Sequence, residues 1–317
     1  MNHAVLDLFA GTGVGVACRN LGATEYGVEV WDAAVKSRDA AGFTTVYRDA
    51  WDVASSAGLA FDTLWASPPC QTFSTAGSGS GRKALDTVVA AIRQGLWKSV
   101  SGLRNLADGV GDARTALVLI PLTYVYHYRP TSIVFEQVPT VLPVWEEAAK
   151  ALRDSGYSVW TGIIDASDYG VAQVRKRAYL IARRDGGVAQ PPKKSDERVT
   201  MYEALGWGLT ERPSPTLTSH LGVTRSPSGT QRVYLDAIDR GEFVFKPVTP
   251  IPSKVATNGI GSLYAPNTVN VSTEEGAVLQ SYPAEFPFRG SKTEKDLQIG
   301  NAVPPRVAEA VLSAVWS

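Results

Sequence analysis

LDLFAGTGVG, residues 6–15, is an apolar run of strand character that passes through a glycine-rich turn into the start of a helix. Glycine in such a turn lets a ligand come close to the backbone. The spacing is not the dinucleotide fingerprint, because GxGxxG would need glycine where the chain has Val16. The turn is therefore indifferent among adenosine cofactors, and the acids that follow it narrow the choice. Glu29 ends the next strand candidate, where a carboxylate can accept hydrogen bonds from both hydroxyls of a ribose. Asp49 follows the third candidate and is placed to accept from an adenine amino group. Either acid alone reads as a surface residue, but acids at the ends of successive strands point together to a nucleoside pocket. S-adenosylmethionine suits such a pocket, since it has no phosphates to clamp and its sulfonium cation is favoured by acidic surroundings.

Outward from this stretch, short apolar or β-branched runs alternate with helical patterns. The strand candidates are Ala4 to Phe9, Tyr26 to Val30, Thr44 to Tyr47, Phe61 to Ala66 and Ser132 to Phe135. Such alternation predicts an α/β fold, a mostly parallel sheet with helices on both faces. Tyr157 to Ile164 and Ala178 to Ala182 read as two further strands joined by a polar loop. From about Gly186 the chain turns rich in Pro, Gly, Ser and Thr, with strand-like pieces at Arg232 to Leu235 and Glu242 to Phe245, which predicts a second, smaller domain. Helical patterns return at Thr273 to Gln280 and at Pro304 to Trp316. The latter opens on a double proline and is expected to rejoin the first domain.

Composition bounds the class. The chain has 317 residues, 44% of them apolar, with 31 basic against 31 acidic side chains, which fits an ordinary globular enzyme and excludes a disordered chain. Two distant cysteines make no disulfide framework, and no apolar stretch approaches the ~20 residues of a membrane span. No secretory signal is legible, so a reducing cytoplasm is the expected compartment. Charge is unevenly placed: the first 70 residues lean acidic, while Arg175, Lys176, Arg177, Arg183, Arg184, Lys193, Lys194 and Arg198 gather later. Such a run is usually a solvated face, and beside a Gln/Arg motif it also reads as a nucleic-acid footprint.

PPCQTFS, residues 68–74, puts Cys70 on a proline-stiffened turn after the strand candidate FDTLWA, where open α/β sheets keep their active sites. A lone cysteine is more often a small core residue. Here polar Gln71, Thr72 and Ser74 argue against a core position, leaving the two readings even until further motifs are counted. The span Thr75 to Asp112 begins with AGSGSGR and continues as a polar helical pattern, which suits a mobile lid better than a core element.

In order and nearly end to end, these segments resemble the C5-cytosine DNA methyltransferase family, of bacterial or phage type. DLFAGTG (7–13) resembles its cofactor loop, GVE (27–29) the ribose acid, PPCQTFS the catalytic loop and EQV (136–138) the active-site glutamate. DYGVAQVRKR (168–177) resembles the Gln-x-Arg-x-Arg motif, LQSYPAEF (279–286) the hinge motif and GNAVPP (300–305) the closing one. The chain departs from the family pattern at Val14, in the extra residue of EVWD (29–32), at Gln137 in place of asparagine, and in DAS at 165–167.

The resemblance implies a Rossmann-like class I methyltransferase domain over 1–186 and 294–317. It also implies a small, mainly β target recognition domain over 187–270 and a hinge over 271–293. It implies methyl transfer from S-adenosylmethionine to C5 of cytosine in double-stranded DNA, by base flipping and a covalent bond from Cys70 to C6. Glu136 would hold the proton for N3, and Arg177 with Arg175 would contact the cytosine O2. Asp7, Phe9, Gly11, Gly13, Glu29, Trp31, Asp49, Pro69 and Asn301 would form the cofactor site. Gln71, Ser74, Arg82, Gln173, Arg225 and Arg232 would face DNA, although Gln173 reads first as a support for backbone. A monomer is expected, with no metal, no membrane, and a restriction endonuclease acting separately as a partner. Rivals fail on particular residues: a zinc cytidine deaminase needs a second cysteine where the chain has Phe73, and a thymidylate synthase-like enzyme has no place for the glycine-rich turn.

Overall fold

The computed structural model describes residues 3–69, 80–110, 112–217, 229–245 and 271–317, with the backbone alone at 80–83, 229–232 and 235. Cys70, Gln71, Ser74 and Arg225 lie outside the described residues, as do the side chains of Arg82 and Arg232.

The chain opens with β1 (Ala4–Leu8), α1 (Gly13–Asn20), β2 (Thr24–Val28), α2 (Asp32–Ala41), β3 (Thr44–Tyr47) and β4 (Thr63–Ala66). Four helices follow, α3 (Ser80–Arg93), α4 (Val100–Gly109), α5 (Arg114–Leu117) and α6 (Ile120–Tyr128). Then come β5 (Ser132–Gln137), α7 (Leu142–Asp154), β6 (Ser158–Asp165) and β7 (Lys176–Arg183). Seven strands form one sheet in the order β3-β2-β1-β4-β5-β7-β6. The pairs among β1 to β5 are parallel, and β7 runs antiparallel to both β5 and β6. Strand order reverses beside β1, and ligands of open α/β sheets bind at that point, beyond the carboxyl ends of the strands.

The central strands are buried on both faces, which is why they read as unbroken apolar runs. Leu6, Leu8, Leu64, Ile133 and Phe135 pack with Trp145, Leu152 and the α3–α6 side of the core. Val5, Trp65, Val134 and Ile181 pack on the other side against Val14 and Ala17 of α1 and against Val307 and Val311 of α12 (Pro305–Trp316). The last helix thus rejoins the first domain as expected. β1 and β2 each differ from their predicted bounds, β2 by two residues at both ends.

Three expectations are corrected. The span Thr75 to Asp112 is not a polar lid in its described part: α3 and α4 bury Val88, Ala91, Ile92 and Leu103, with Trp97 between them, in the main core. These apolar residues recur at spacings of three and four, an amphipathic pattern that the polar residues between them obscured. Arg232 to Leu235 is helix, not strand, within α9 (Gly229–Asp239); Tyr234 and Ala237, three apart, are buried together. The basic stretch is no single face. Arg177 meets Glu136 and Arg183 meets Asp185 at the other end of β7, while Lys194 and Arg198 both meet Asp168.

In 187–270 the described residues hold α8 (Met201–Leu205), α9 and a two-stranded ribbon of β8 (Gly208–Leu209) and β9 (Phe243–Val244). Helix outweighs strand there. Trp207, Tyr234 and Phe243 form a cluster with Tyr282, Phe286 and Phe288 that ties this region to α10 (Thr273–Leu279) and α11 (Lys292–Asn301). Both of these helices start on capping boxes, Ser272 with Glu275 and Ser291 with Glu294. No described helix is long and apolar enough to cross a membrane.

Candidate active site

One cavity of about 530 Å³ opens at the carboxyl ends of β1, β4 and β5, within the size range of small-molecule sites. Its first end is the glycine turn. β1 delivers Phe9 in the left-handed region at φ 62°, a strained conformation for a bulky residue, and Gly11 follows at φ 47°. At Gly13, where α1 starts, an added Cβ would overlap the carbonyl oxygen of Val303, so glycine is needed for the closing motif to dock.

Glu29, just past β2, accepts hydrogen bonds from the Gly11 N–H and the Trp31 N–H, both 2.8 Å. Its carboxylate is thereby fixed at the cavity wall, with lone pairs left for ribose hydroxyls. Val30 and Trp31 both line the cavity, as do Pro69 and Asn301, the last residue of α11. A pocket of this size, with the Glu29 carboxylate fixed at its glycine-turn end, fits S-adenosylmethionine.

The other end carries the groups for base chemistry. Glu136 is buried near the end of β5, and Arg177, near the start of antiparallel β7, brings Nε to 3.2 Å from its Oε1. Burial raises the Glu136 pKa against the pull of Arg177 and Arg175, so the carboxyl holds a proton to higher pH than an exposed one. Arg175 is also buried and lines the cavity; its Nη1 donates to the Leu217 carbonyl at 3.4 Å and its backbone N–H to Asp165 at 3.1 Å. Gln137 donates its side-chain amide to the Pro68 carbonyl. It therefore braces the backbone two residues before Cys70 in sequence. The other cysteine, Cys18, is on the buried face of α1, where burial pushes its thiol up and makes it a poor nucleophile.

Phe9, Gly11, Gly13, Glu29, Trp31, Pro69, Asn301, Glu136, Arg175 and Arg177 are thus brought together around one space. Among the predicted site residues whose side chains are described, three are not. Asp7 faces the sheet side opposite Leu6 and Leu8, buried beside Gly27 and Trp65 of the neighbouring strands and outside the cavity lining. Asp49 is exposed beyond β3, also outside the lining, and accepts from the Trp51 N–H at 2.9 Å. Gln173 is fully buried; its amide oxygen accepts from the Leu217 N–H at 2.9 Å and its nitrogen donates to the Leu279 carbonyl. It is a brace between backbone segments and has no DNA-facing atom in this arrangement.

Sequence reading missed Arg114 and Leu117, which line the cavity from α5, and Gln298. Gln298 stands one helical turn before Asn301, so i, i+3 spacing from the closing motif was a usable signal. Arg114 and Leu117 share that spacing on a single turn.

The chain matches the family model for C-5 cytosine-specific DNA methylases over residues 98–222 and 224–317. It is similar to the type II methyltransferase M.HgiDI of Herpetosiphon aurantiacus, 26% identical over 255 residues that span 76% of this chain and 68% of that protein. M1.HphI of Haemophilus parahaemolyticus is 26% identical over 280 residues, 80% of this chain and 68% of that one. In fold it is similar to the Entamoeba histolytica methyltransferase EhMeth, with a TM-score of 0.64 at 15% identity over 100% of this chain and 98% of that one. The Dnmt2 methyltransferase of S. pombe gives 0.62 at 15% identity, over 99% and 98%. With more than half its length matched, the chain belongs to the C-5 cytosine-specific DNA methylases, enzymes that methylate cytosine in DNA with S-adenosylmethionine as donor.

Proposed function

We propose that the enzyme flips a cytosine out of double-stranded DNA into the Glu136 end of the cavity and holds it there through a transient covalent bond to Cys70. The carrying observation is that a single cavity runs from Glu29 to the Glu136–Arg177 pair, with Pro68 and Pro69 in its wall immediately before Cys70. Cytosine C5 is too weakly nucleophilic to take a methyl group unaided. The Cys70 thiolate adds to C6 while Glu136 gives its proton to N3, so the electron pair of the C5–C6 bond becomes available at C5. Bound S-adenosylmethionine supplies the electrophilic methyl group. A base then takes the C5 proton, the C–S bond breaks to restore the C5–C6 double bond and the thiolate, and N3 returns its proton to Glu136. Arg177 and Arg175 hold the cytosine O2. A duplex does not expose C6 to a side chain, so the base must leave the stack first.

By sequence motif, Gln71, Ser74 and Arg82 follow the flipped nucleotide, with Arg82 on a phosphate, and Arg225 and Arg232 reach the recognition sequence. Residues 187–270 act as the recognition unit, 271–293 as the hinge, and 1–186 with 294–317 as the catalytic unit. The type II relatives support a modification role beside a separate restriction endonuclease, and a monomer is the proposed working form. Bisulfite sequencing of DNA from cells expressing the chain tests activity and target together. One fixed sequence context of 5-methylcytosine is expected, and fully converted DNA would refute the proposal.

A further inference from the structure

We propose that Arg38 is a positioning residue for the methyl donor, a buried clamp that holds the strained glycine turn in its cofactor-binding shape. Arg38 is on α2 and is completely buried. Its Nη2 donates to both oxygens of Glu25 and to the Thr44 carbonyl, each 2.8 Å, and its Nε donates to Thr45 Oγ1 at 3.0 Å. The remaining nitrogen, Nη1, reaches across the sheet to the carbonyl of Gly11 at 3.0 Å. Gly11 is the left-handed glycine of the turn, and its N–H is one of the two held by Glu29. One peptide group on either side of Gly11 is therefore fixed, one by the ribose acid and the other by Arg38.

Room for the guanidinium comes from Gly27. Glu25 and Gly27 share a face of β2, and a Cβ at Gly27 would overlap Arg38 Nη2. A buried guanidinium–carboxylate pair is a poor way to gain stability, since apolar residues of similar volume fold as well or better. Geometry supplies another reason for it here. A fork of donors fixed on β2 and β3 can aim one arm at a carbonyl in the turn, which an apolar side chain cannot do. Phe9, at φ 62°, lies on that turn, and a bulky residue keeps such a conformation only where its surroundings hold it; Gly11 takes φ 47° without strain.

This rests on the assignment of the cavity to S-adenosylmethionine, and the experiment separates the two. Cofactor affinity is measured by calorimetry for the wild type, for the double variant Glu25→Leu/Arg38→Met, and for Gly27→Ala, which pushes the guanidinium off Gly11 without removing any charge. Melting temperature, kcat and KM for the cofactor are measured alongside. Both variants are expected to raise Kd and KM for S-adenosylmethionine at least tenfold while kcat at saturating cofactor stays within about threefold; the double variant keeps or raises the melting temperature. A merely structural role would lower the melting temperature and leave KM unchanged, and that result in either variant overturns the clamp. A wild-type chain that binds no S-adenosylmethionine refutes the cavity assignment and the clamp with it.

Discussion

Replacing Glu136 with Gln tests the chemistry of the cavity most directly, because the substitution keeps shape and removes only the proton and charge. Gln retains an oxygen for Arg177 Nε, now 3.2 Å from Oε1, so the loss is confined to the difference between a charged and a neutral contact, about 1–1.5 kcal/mol of fold stability. The catalytic loss is larger. A positioned proton donor contributes roughly 10²- to 10⁴-fold, which is about 3–5 kcal/mol in the barrier. Burial raises the Glu136 pKa, so the donor form persists to higher pH than for an exposed glutamate and is lost as pH rises through that raised value. Thiolate formation at Cys70 rises with pH, so the wild-type kcat/KM profile should be a bell whose falling limb belongs to Glu136. Methyl transfer from labelled cofactor to a DNA duplex, followed across pH, reads both limbs. Glu136→Gln should lose two to four orders of magnitude and its falling limb while DNA affinity stays within a few-fold. A variant that keeps a tenth of the rate, or still shows the falling limb, would refute the role of Glu136.

Cys70→Ala should abolish methylation and the covalent adduct with DNA containing 5-fluorocytosine while leaving calorimetric cofactor binding intact; an adduct in the variant would sink the assignment. Gly13→Ala drives a Cβ into the Val303 carbonyl, and overpacking of this kind costs about 1–3 kcal/mol, seen as a lower denaturation midpoint together with weaker cofactor binding. Asp7 is buried with no partner for its carboxyl among the described residues, and burial with the nearby Glu25 holds its pKa well above the usual range. Below the pKa of an exposed aspartate the wild type and Asp7→Asn should melt alike. As pH climbs toward the raised native value the wild type loses stability, because its unfolded chain sheds a proton that the native state keeps, so the gap in melting temperature should widen. A gap that ignores pH contradicts this.

Much of the sheet was readable because its central strands are buried on both faces and so appear as unbroken apolar runs. The glycine turn, Glu29, Glu136 and Arg177 were readable because motif spacing survives wherever chemistry needs a fixed geometry. Failures came where neighbours in space decide. α9 contains the short run RVYL that reads as strand, yet it is helix, with Tyr234 edge-on to Phe243. Asp7 belongs to the motif but its side chain is turned by the pleat to the far side of β1, and alternation along the strand could have predicted that. Gln173 was legible as a backbone support from its motif, but not its partners, which come from distant segments at Leu217 and Leu279 and leave no part of it for DNA.

The contact of Gly13 with Val303 also sets a schedule for synthesis. At about 5–20 residues per second, roughly 15–60 s pass between translation of the first of these residues and the last. Until then the wall formed by Asn301 and Val303 does not exist, although Glu29, Glu136 and Arg177 have long been made. Residues 187–270 fall inside that interval. No growing chain therefore holds a finished donor pocket before the segment proposed to choose the DNA sequence has been synthesised. If residues 187–270 are the recognition unit proposed above, the order of the chain keeps selection ahead of methylation during synthesis.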